Sequence, residues 1–175
     1  SGVSKSDESR IGEFRREEEL IRDFTNTSKT LVYFSTCSVL DQKLPTTPYV
    51  LHKCKMESIV KQVENHVILR FPQLAGRSNN PNTLTNFLYS NIIDGTHFDI
   101  WQHATRNVID VEDACTLSSY FLLEKRINKR TMTIACPNSI SMLRLVRIFE
   151  KVLETKAHYS IIDRGGPYRI PIDFE

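Results

Sequence analysis

Glycine is scarce in this sequence and poorly placed for one common task. The six glycines, at positions 2, 12, 76, 95, 165 and 166, nowhere make a G-x-G-x-x-G or G-x-x-G-x-x-G turn, so the backbone cradle that closes on a pyrophosphate is not encoded in these residues. The four cysteines, Cys37, Cys54, Cys115 and Cys136, form no C-x-x-C, and no His stands at zinc-like spacing from them. No metal site is expected, and the cysteines suit small buried hydrophobes in a reducing compartment. A run of 18 apolar residues is missing, as is a signal sequence; no membrane partner is expected, and the expected location is cytoplasmic. Charge of one sign is not in excess either. With 23 Lys+Arg against 21 Asp+Glu the net charge is +2, which argues against a nucleic-acid binder that relies on a basic stripe. The densest basic cluster, residues 124–130 (EKRINKR), contains an acid and reads as a solvated helix end and turn.

What is present is the composition of an ordinary globular chain. Hydrophobic residues make up 40% and charged residues 25% of 175, enough to bury a core in one domain with or without a small appendage. The organising stretch is Leu31 to Lys53, LVYFSTCSVLDQKLPTTPYVLHK. Leu31-Val32-Tyr33-Phe34 is a β-branched and aromatic run that predicts a buried strand. It ends in Ser35-Thr36-Cys37-Ser38, which places hydroxyls at the carboxyl end of a strand, where open α/β sheets keep their ligand crevice. Cys37 lies inside this loop, and packing is its expected role. A loop with Pro45 and Pro48 follows, then a helix from about Tyr49 on which Tyr49 and Lys53 share one face.

Proton transfer by a phenol is the chemistry that this pairing suits. A tyrosine with a pKa of about 10 needs roughly 4 kcal/mol of differential stabilisation of its phenolate to ionise near pH 7. An adjacent ammonium supplies part of that, and the Thr36 hydroxyl would donate to a substrate oxygen as charge develops. A Tyr-x-x-x-Lys pair alone is also compatible with a plain helix surface.

Strand, Ser-Thr-x-Ser-Val, about a dozen residues, and Pro-Tyr-x-x-x-Lys opening a helix together resemble the active-site segment of the extended short-chain dehydrogenase/reductase family, the nucleotide-sugar epimerases, dehydratases and reductases. The resemblance covers nearly the whole chain but only the later two-thirds of a family member. It implies an α/β fold, a Rossmann-like open, mainly parallel sheet with helices on both faces, plus a small carboxyl-terminal substrate-binding region. Residues 1–76 would form the later part of the nucleotide-binding domain with the Thr/Tyr/Lys site, and residues 77–175 would complete the sheet and form the substrate lobe. By resemblance Tyr49 is the acid/base, Lys53 lowers its pKa and holds the nicotinamide ribose, and Thr36 binds the substrate oxygen.

Taken in order, the remaining segments extend this likeness. Gly2-Val3 through Glu8-Ser9 resembles the turn whose backbone lies against the cofactor. A charged helix follows, about Ile11 to Asn26, with Phe14, Leu20, Ile21 and Phe24 as its apolar side; Glu17, Glu18 and Glu19 stand where the family often has an Asn that supports the site. His66 to Phe71 predicts a second buried strand, ending in Pro72-Gln73-Leu74-Ala75-Gly76, similar to the family's loop that closes over the nicotinamide. The implied cofactor-binding residues are therefore Gly2, Val3, Tyr49, Lys53, Pro72 and Gln73.

A helix is expected from about Thr83 to Asp94, with Thr83 and Asn86 as candidate substrate-binding residues, although Asn82 or Thr83 equally suits a helix cap. Phe98 to Trp101 alternates like a strand. Arg106 to Asp113 resembles the Arg-Asp-aromatic-x-x-Val-x-Asp motif, in which the Arg forks onto a diphosphate; a structural salt bridge is the alternative for Arg106. A helix over 111–124, a strand over 132–135, a helix over 140–154 capped by Asn138 or Ser139, and a strand over 159–162 complete the regular part. The tail from Gly165 docks on the body or on a neighbour.

The implied function is an NAD(P)-dependent oxidoreductase, epimerase or dehydratase acting on a sugar or nucleotide sugar, with NAD or NADP as cofactor and a homodimer as the assembly. The alternative is a non-catalytic binding or assembly module that has lost normal cofactor binding. For the absent glycine turn three arrangements are open: the segment precedes Ser1, a second chain supplies it, or the protein is a reduced relative.

Overall fold

A computed structural model describes residues 2–3, 5–25, 28–41 and 47–171. By their contacts these fall into two compact units: the first runs to Pro72 and takes back Cys115–Ile134, and the second holds Gln73–Ala114 and Ala135–Pro171. The expected division at residue 76/77 was sequential, whereas in the structure a later segment returns to the first unit.

In the first unit, α1 (Ile11–Asp23) is followed by β1 (Leu31–Thr36), a single 3-10 turn (Cys37–Leu40), α2 (Pro48–Val60) and β2 (His66–Phe71). Their sheet is parallel and is completed by β7 (Arg130–Thr133), in the order β1-β2-β7. The register sets Tyr33 beside Ile68 and Leu69 beside Met132. β2 is the central strand, and its Val67, Ile68 and Leu69 are fully enclosed, which is why its sequence shows no alternation. β1 differs from the expectation of a wholly buried strand. It stands at the sheet edge and alternates, with Tyr33 and Ser35 inward and Phe34 60% exposed. The core gathers Ile21, Tyr33, Met56, Ile59, Val60 and Ile68.

Helix α1 corrects another expectation. Its inward stripe is Phe14, Glu17 and Ile21, while Leu20 and Phe24 are exposed. At about 100° per residue, positions 14, 17 and 21 fall on one line, and 20 and 24 on the next. A glutamate therefore sits where an apolar side chain was expected.

In the second unit β3 (Gln73–Ala75) pairs in parallel with β6 (Val108–Asp110), β4 (Phe98–Trp101) in parallel with β9 (Tyr159–Ile162), and β5 (Thr105–Arg106) antiparallel with β8 (Ile140–Ser141). Helices α3 (Leu84–Ile93) and α5 (Met142–Leu153) pack Leu88, Ile92, Leu145 and Val146 with Phe98 and Ile100. Helix α4 (Val111–Ser119) starts with Glu112 and Asp113, carboxylates that complement its dipole, and ends in a π turn over Tyr120–Glu124.

The cap of α5 is Ser141, whose hydroxyl accepts from the Arg144 amide, in place of Asn138 or Ser139. Residues 140–141 are used as strand first, so the helix begins later, and the Ser139 hydroxyl donates to the Tyr168 carbonyl. The tail docks within this unit: the Tyr168 amide donates to Thr105 Oγ1 at 2.8 Å. Gly165 permits that approach, with φ +86° and a site where a Cβ would stand 2.9 Å from Ala104 Cβ. No helix among the described residues is long and apolar enough to cross a membrane.

Candidate active site

The site is built on the amino-terminal half of α2. Thr47 accepts from the Val50 amide and Pro48 opens the helix, the combination that fixes a helix start. Buried positions along α2 are Tyr49, His52, Lys53, Met56, Glu57, Ile59 and Val60. One face thus changes character along its length, polar for the first turns and apolar afterwards. The polar half meets the carboxyl end of β1.

There the structure brings Thr36, Tyr49 and Lys53 together. Thr36 caps the 3-10 turn by accepting from the Ser38 amide at 3.2 Å and donates to Ser38 Oγ at 3.2 Å, and its hydroxyl stands beside the Tyr49 phenol. The Lys53 ammonium lies 5.9 Å from the centre of the Tyr49 ring and 5.0 Å from that of Tyr33. It donates to Tyr33 Oη at 2.9 Å and to Glu17 Oε1 at 2.9 Å. Two of its three donors are thereby engaged.

Sequence reasoning missed Glu17 as a member of the site. Its side chain is 2% exposed, and its carboxylate accepts from Lys53 Nζ, from Tyr33 Oη at 3.2 Å and from His52 Nε2 at 2.7 Å, with the Val3 backbone beside it. Burial, the largest influence, pushes this carboxyl up, but the Lys53 charge and the hydrogen bonds outweigh it and hold the pKa below the usual range. An ionised carboxylate only accepts, so His52 presents an N–H to it, and the His52 ring stacks on Phe14 at 4.5 Å. No spacing marked Glu17 out from its neighbours Glu18 and Glu19; only its phase on α1, in line with Phe14 and Ile21, did.

Tyr49 has its pKa raised, first by burial and further by the Glu17 charge, with the Thr36 hydroxyl acting in the opposite sense. Tyr33 is pushed up as well, by burial and then by Glu17. The Lys53 ammonium is balanced by a carboxylate and does not act on the phenol as a lone cation.

Gly2 and Val3 lie at this cluster. A Cβ on Gly2 would stand 2.7 Å from Glu17 Oε1 and 3.9 Å from Lys53 Nζ, a close backbone approach that only glycine allows. Pro72 ends the first unit just past β2. Next to these, Ser35 Oγ donates to Glu57 Oε1 at 2.7 Å, and Arg70 grips Glu57 with Nε at 2.8 Å and Nη2 at 2.5 Å. This clasp ties β1, α2 and β2 one turn beyond Lys53.

The other candidate residues belong to the second unit. Gln73 is exposed, and its amide donates to the Asn107 carbonyl at 3.1 Å. Thr83 caps α3 by accepting from the Asn86 amide. The Asn86 side chain donates to the Ser78 and Asn80 carbonyls, each at 2.8 Å, so both residues shape the loop ahead of α3. Arg106 is half-buried, donates to the Thr105 carbonyl at 2.9 Å, and has its pKa lowered by burial. Among the described residues no carboxylate pairs with it. No group of three or more His, Cys, Asp or Glu among the described residues is arranged to hold a metal ion.

No protein-family model matches the sequence, and no curated protein matches it. Solved structures do match in fold. UDP-glucuronic acid 4-epimerase from Bacillus cereus, in complex with UDP-glucuronic acid and NAD, superposes with a TM-score of 0.79 at 18% identity over 98% of this chain and 62% of its own. UDP-N-acetylglucosamine 4-epimerase from Bacillus cereus gives 0.73 at 20% identity over 99% and 67%. The dTDP-glucose 4,6-dehydratase from Bacillus anthracis, in complex with NAD, gives 0.68 at 18% identity over 91% and 57%. The chain therefore has the mixed α/β, Rossmann-type fold of NAD-dependent epimerases and dehydratases, as the resemblance to short-chain dehydrogenases implied, and it spans about three-fifths of the length of these structures.

Proposed function

We propose that this chain is the later part of an NAD(P)-dependent enzyme that acts on a hydroxyl or carbonyl of a nucleotide sugar, with Thr36, Tyr49 and Lys53 as its reacting site. The observation that carries the reading is the convergence of these three side chains at the carboxyl end of β1, Tyr49 and Lys53 buried and Thr36 half-buried, in a fold shared with NAD-dependent epimerases and dehydratases. The donor set fits the nicotinamide-ribose half of a dinucleotide: a buried ammonium with a donor to spare, a phenol on the same helix face, and the tight Gly2-Val3 backbone beside them. A bound dinucleotide would supply the hydride acceptor and donor. Gly2, Val3, Pro72, Gln73 and Lys53 hold it in this reading. Tyr49 exchanges a proton with the substrate oxygen, and Thr36 donates to that oxygen as its charge changes.

Arg106, with no described acid beside it, is the residue to grip a substrate diphosphate, and Thr83 and Asn86 are the further substrate-binding candidates of the same unit. A homodimer through α2, whose Leu51 is 59% exposed, and a cytoplasmic setting for four unpaired cysteines complete the proposal.

Calorimetric titration of the full-length protein with NAD(H) and NADP(H), followed by turnover of UDP- and dTDP-sugars, tests it. Binding in the micromolar range is expected, and Tyr49→Phe should lower turnover by about 100-fold or more. Unchanged turnover in that variant refutes the assignment. One observation favours a second reading, a non-catalytic binding module: Lys53 is already neutralised by Glu17. A folded full-length protein that binds neither dinucleotide would select it.

A further inference from the structure

Three donors from two other elements converge on the Glu17 carboxylate, which is more than a helix needs from a surface-type residue. Lys53 and His52 come from α2 and Tyr33 from β1, and the amino-terminal turn at Gly2 closes against the same carboxylate. A carboxylate has about four lone-pair sites, so most of this one's accepting capacity is used. The other charges nearby are accounted for: Glu57 is gripped by Arg70 and Ser35, and the described groups facing Tyr49 are Thr36 and Tyr33 from β1, Lys53 from α2 and Glu17 from α1.

Such a cluster fixes a position and also a charge. Lys53 is held by two of its donors, and the pair it makes with Glu17 is neutral as a whole. A phenol beside a neutral pair keeps its proton to higher pH than one beside a lone ammonium. We propose, resting on the reading of Tyr49 and Lys53 given above, that Glu17 is a positioning residue of this site: it fixes the Lys53 ammonium and cancels its charge, so that Tyr49 rests as a neutral phenol and works as a proton donor. The site would then favour giving a proton to a substrate oxyanion, the reductive direction, over taking one from a hydroxyl.

The test is a pH titration of the full-length protein labelled with carbon-13 at tyrosine Cζ, the Tyr49 signal being assigned among six tyrosines by its loss in Tyr49→Phe. Glu17→Gln keeps the shape and removes the charge; Tyr49 should then titrate about one pKa unit lower. Lys53→Met should move it upward, and the double variant Glu17→Gln/Lys53→Met should return it to near the wild-type value. A shift below about 0.3 unit in Glu17→Gln overturns the proposal, as does a double variant that follows either single one. If Glu17→Gln does not fold, the wild type alone decides: its Glu17 carboxyl carbon, labelled separately, should titrate below the ordinary carboxylate range, and titration within that range overturns the proposal. None of these readings needs cofactor or substrate. A protein that binds no dinucleotide yet shows the shifts keeps this inference and loses the enzymatic one; an active enzyme whose Tyr49 ignores Glu17→Gln does the reverse.

Discussion

The clasp of Ser35, Glu57 and Arg70 should be worth a large share of the stability of the first unit. Glu57 is 4% and Arg70 17% exposed at the side chain. Replacing Glu57 by Gln strands a mostly enclosed guanidinium, and removing one partner of a buried pair costs about 3–5 kcal/mol. Because Arg70 keeps some access to water, that cost is reduced to about 2–4 kcal/mol. The Ser35 hydroxyl, left with a poorer acceptor, adds about 1 kcal/mol. The sum, about 3–5 kcal/mol, compares with a total of about 5–15 for an ordinary domain. In urea, with a slope near 2 kcal/mol/M, it moves the midpoint down by about 1.5–2.5 M.

Far-UV circular dichroism through a urea series reads this directly. Arg70→Met should cost about as much, because it leaves a buried carboxylate, whereas Glu57→Leu with Arg70→Met removes both charges and should lie within about 2 kcal/mol of the wild type. Single variants that shift the midpoint by less than about 0.5 M at unchanged slope would refute the reasoning, and the clasp would then be a bystander to the packing of α2.

Acid should act on Glu57 and on Glu17 as well. Glu17 and Glu57 both have folded pKa values below the ordinary range; stability from such groups is fully present above the unfolded pKa of about 4.3 and is lost as pH falls through the folded value. The urea midpoint should be level from about pH 7 to 5 and fall steadily below about 4.5; a midpoint unchanged down to pH 3 contradicts this. Cys37 is 1% exposed, and burial pushes its thiol up to about 12, so at pH 8 a thiol reagent should modify the exposed Cys115 and Cys54 first and reach Cys37 only on unfolding. Mass spectrometry of the labelled peptides checks the order.

Much of this architecture is written locally. The runs His66–Phe71 and Phe98–Trp101 occur as strands over those residues, because β-branched and aromatic residues bounded by turn formers need no distant information to declare themselves. The Tyr49–Lys53 pair is likewise local, since four residues on a helix make one face whatever the helix packs on. Even Thr83 as a cap follows from its place ahead of an apolar stretch.

What tertiary structure alone decided concerns phase and return. Glu17, Glu18 and Glu19 are equivalent in composition, and burial of one of them depends on which side of α1 meets α2. That choice exists because Lys53, His52 and Tyr33 supply enough donors to make an enclosed carboxylate tolerable. The return of Cys115–Ile134 to lay β7 beside β2 is a pairing across some sixty residues, and nothing in either strand's own sequence names its partner. Sequence by itself determined where the longer strands and helices lie and which phenol and ammonium share a face, but not the two- and three-residue strands β3, β5, β6 and β8. The fold decided the charge that ammonium presents, because burial and proximity are properties of segments brought together, not of any one of them.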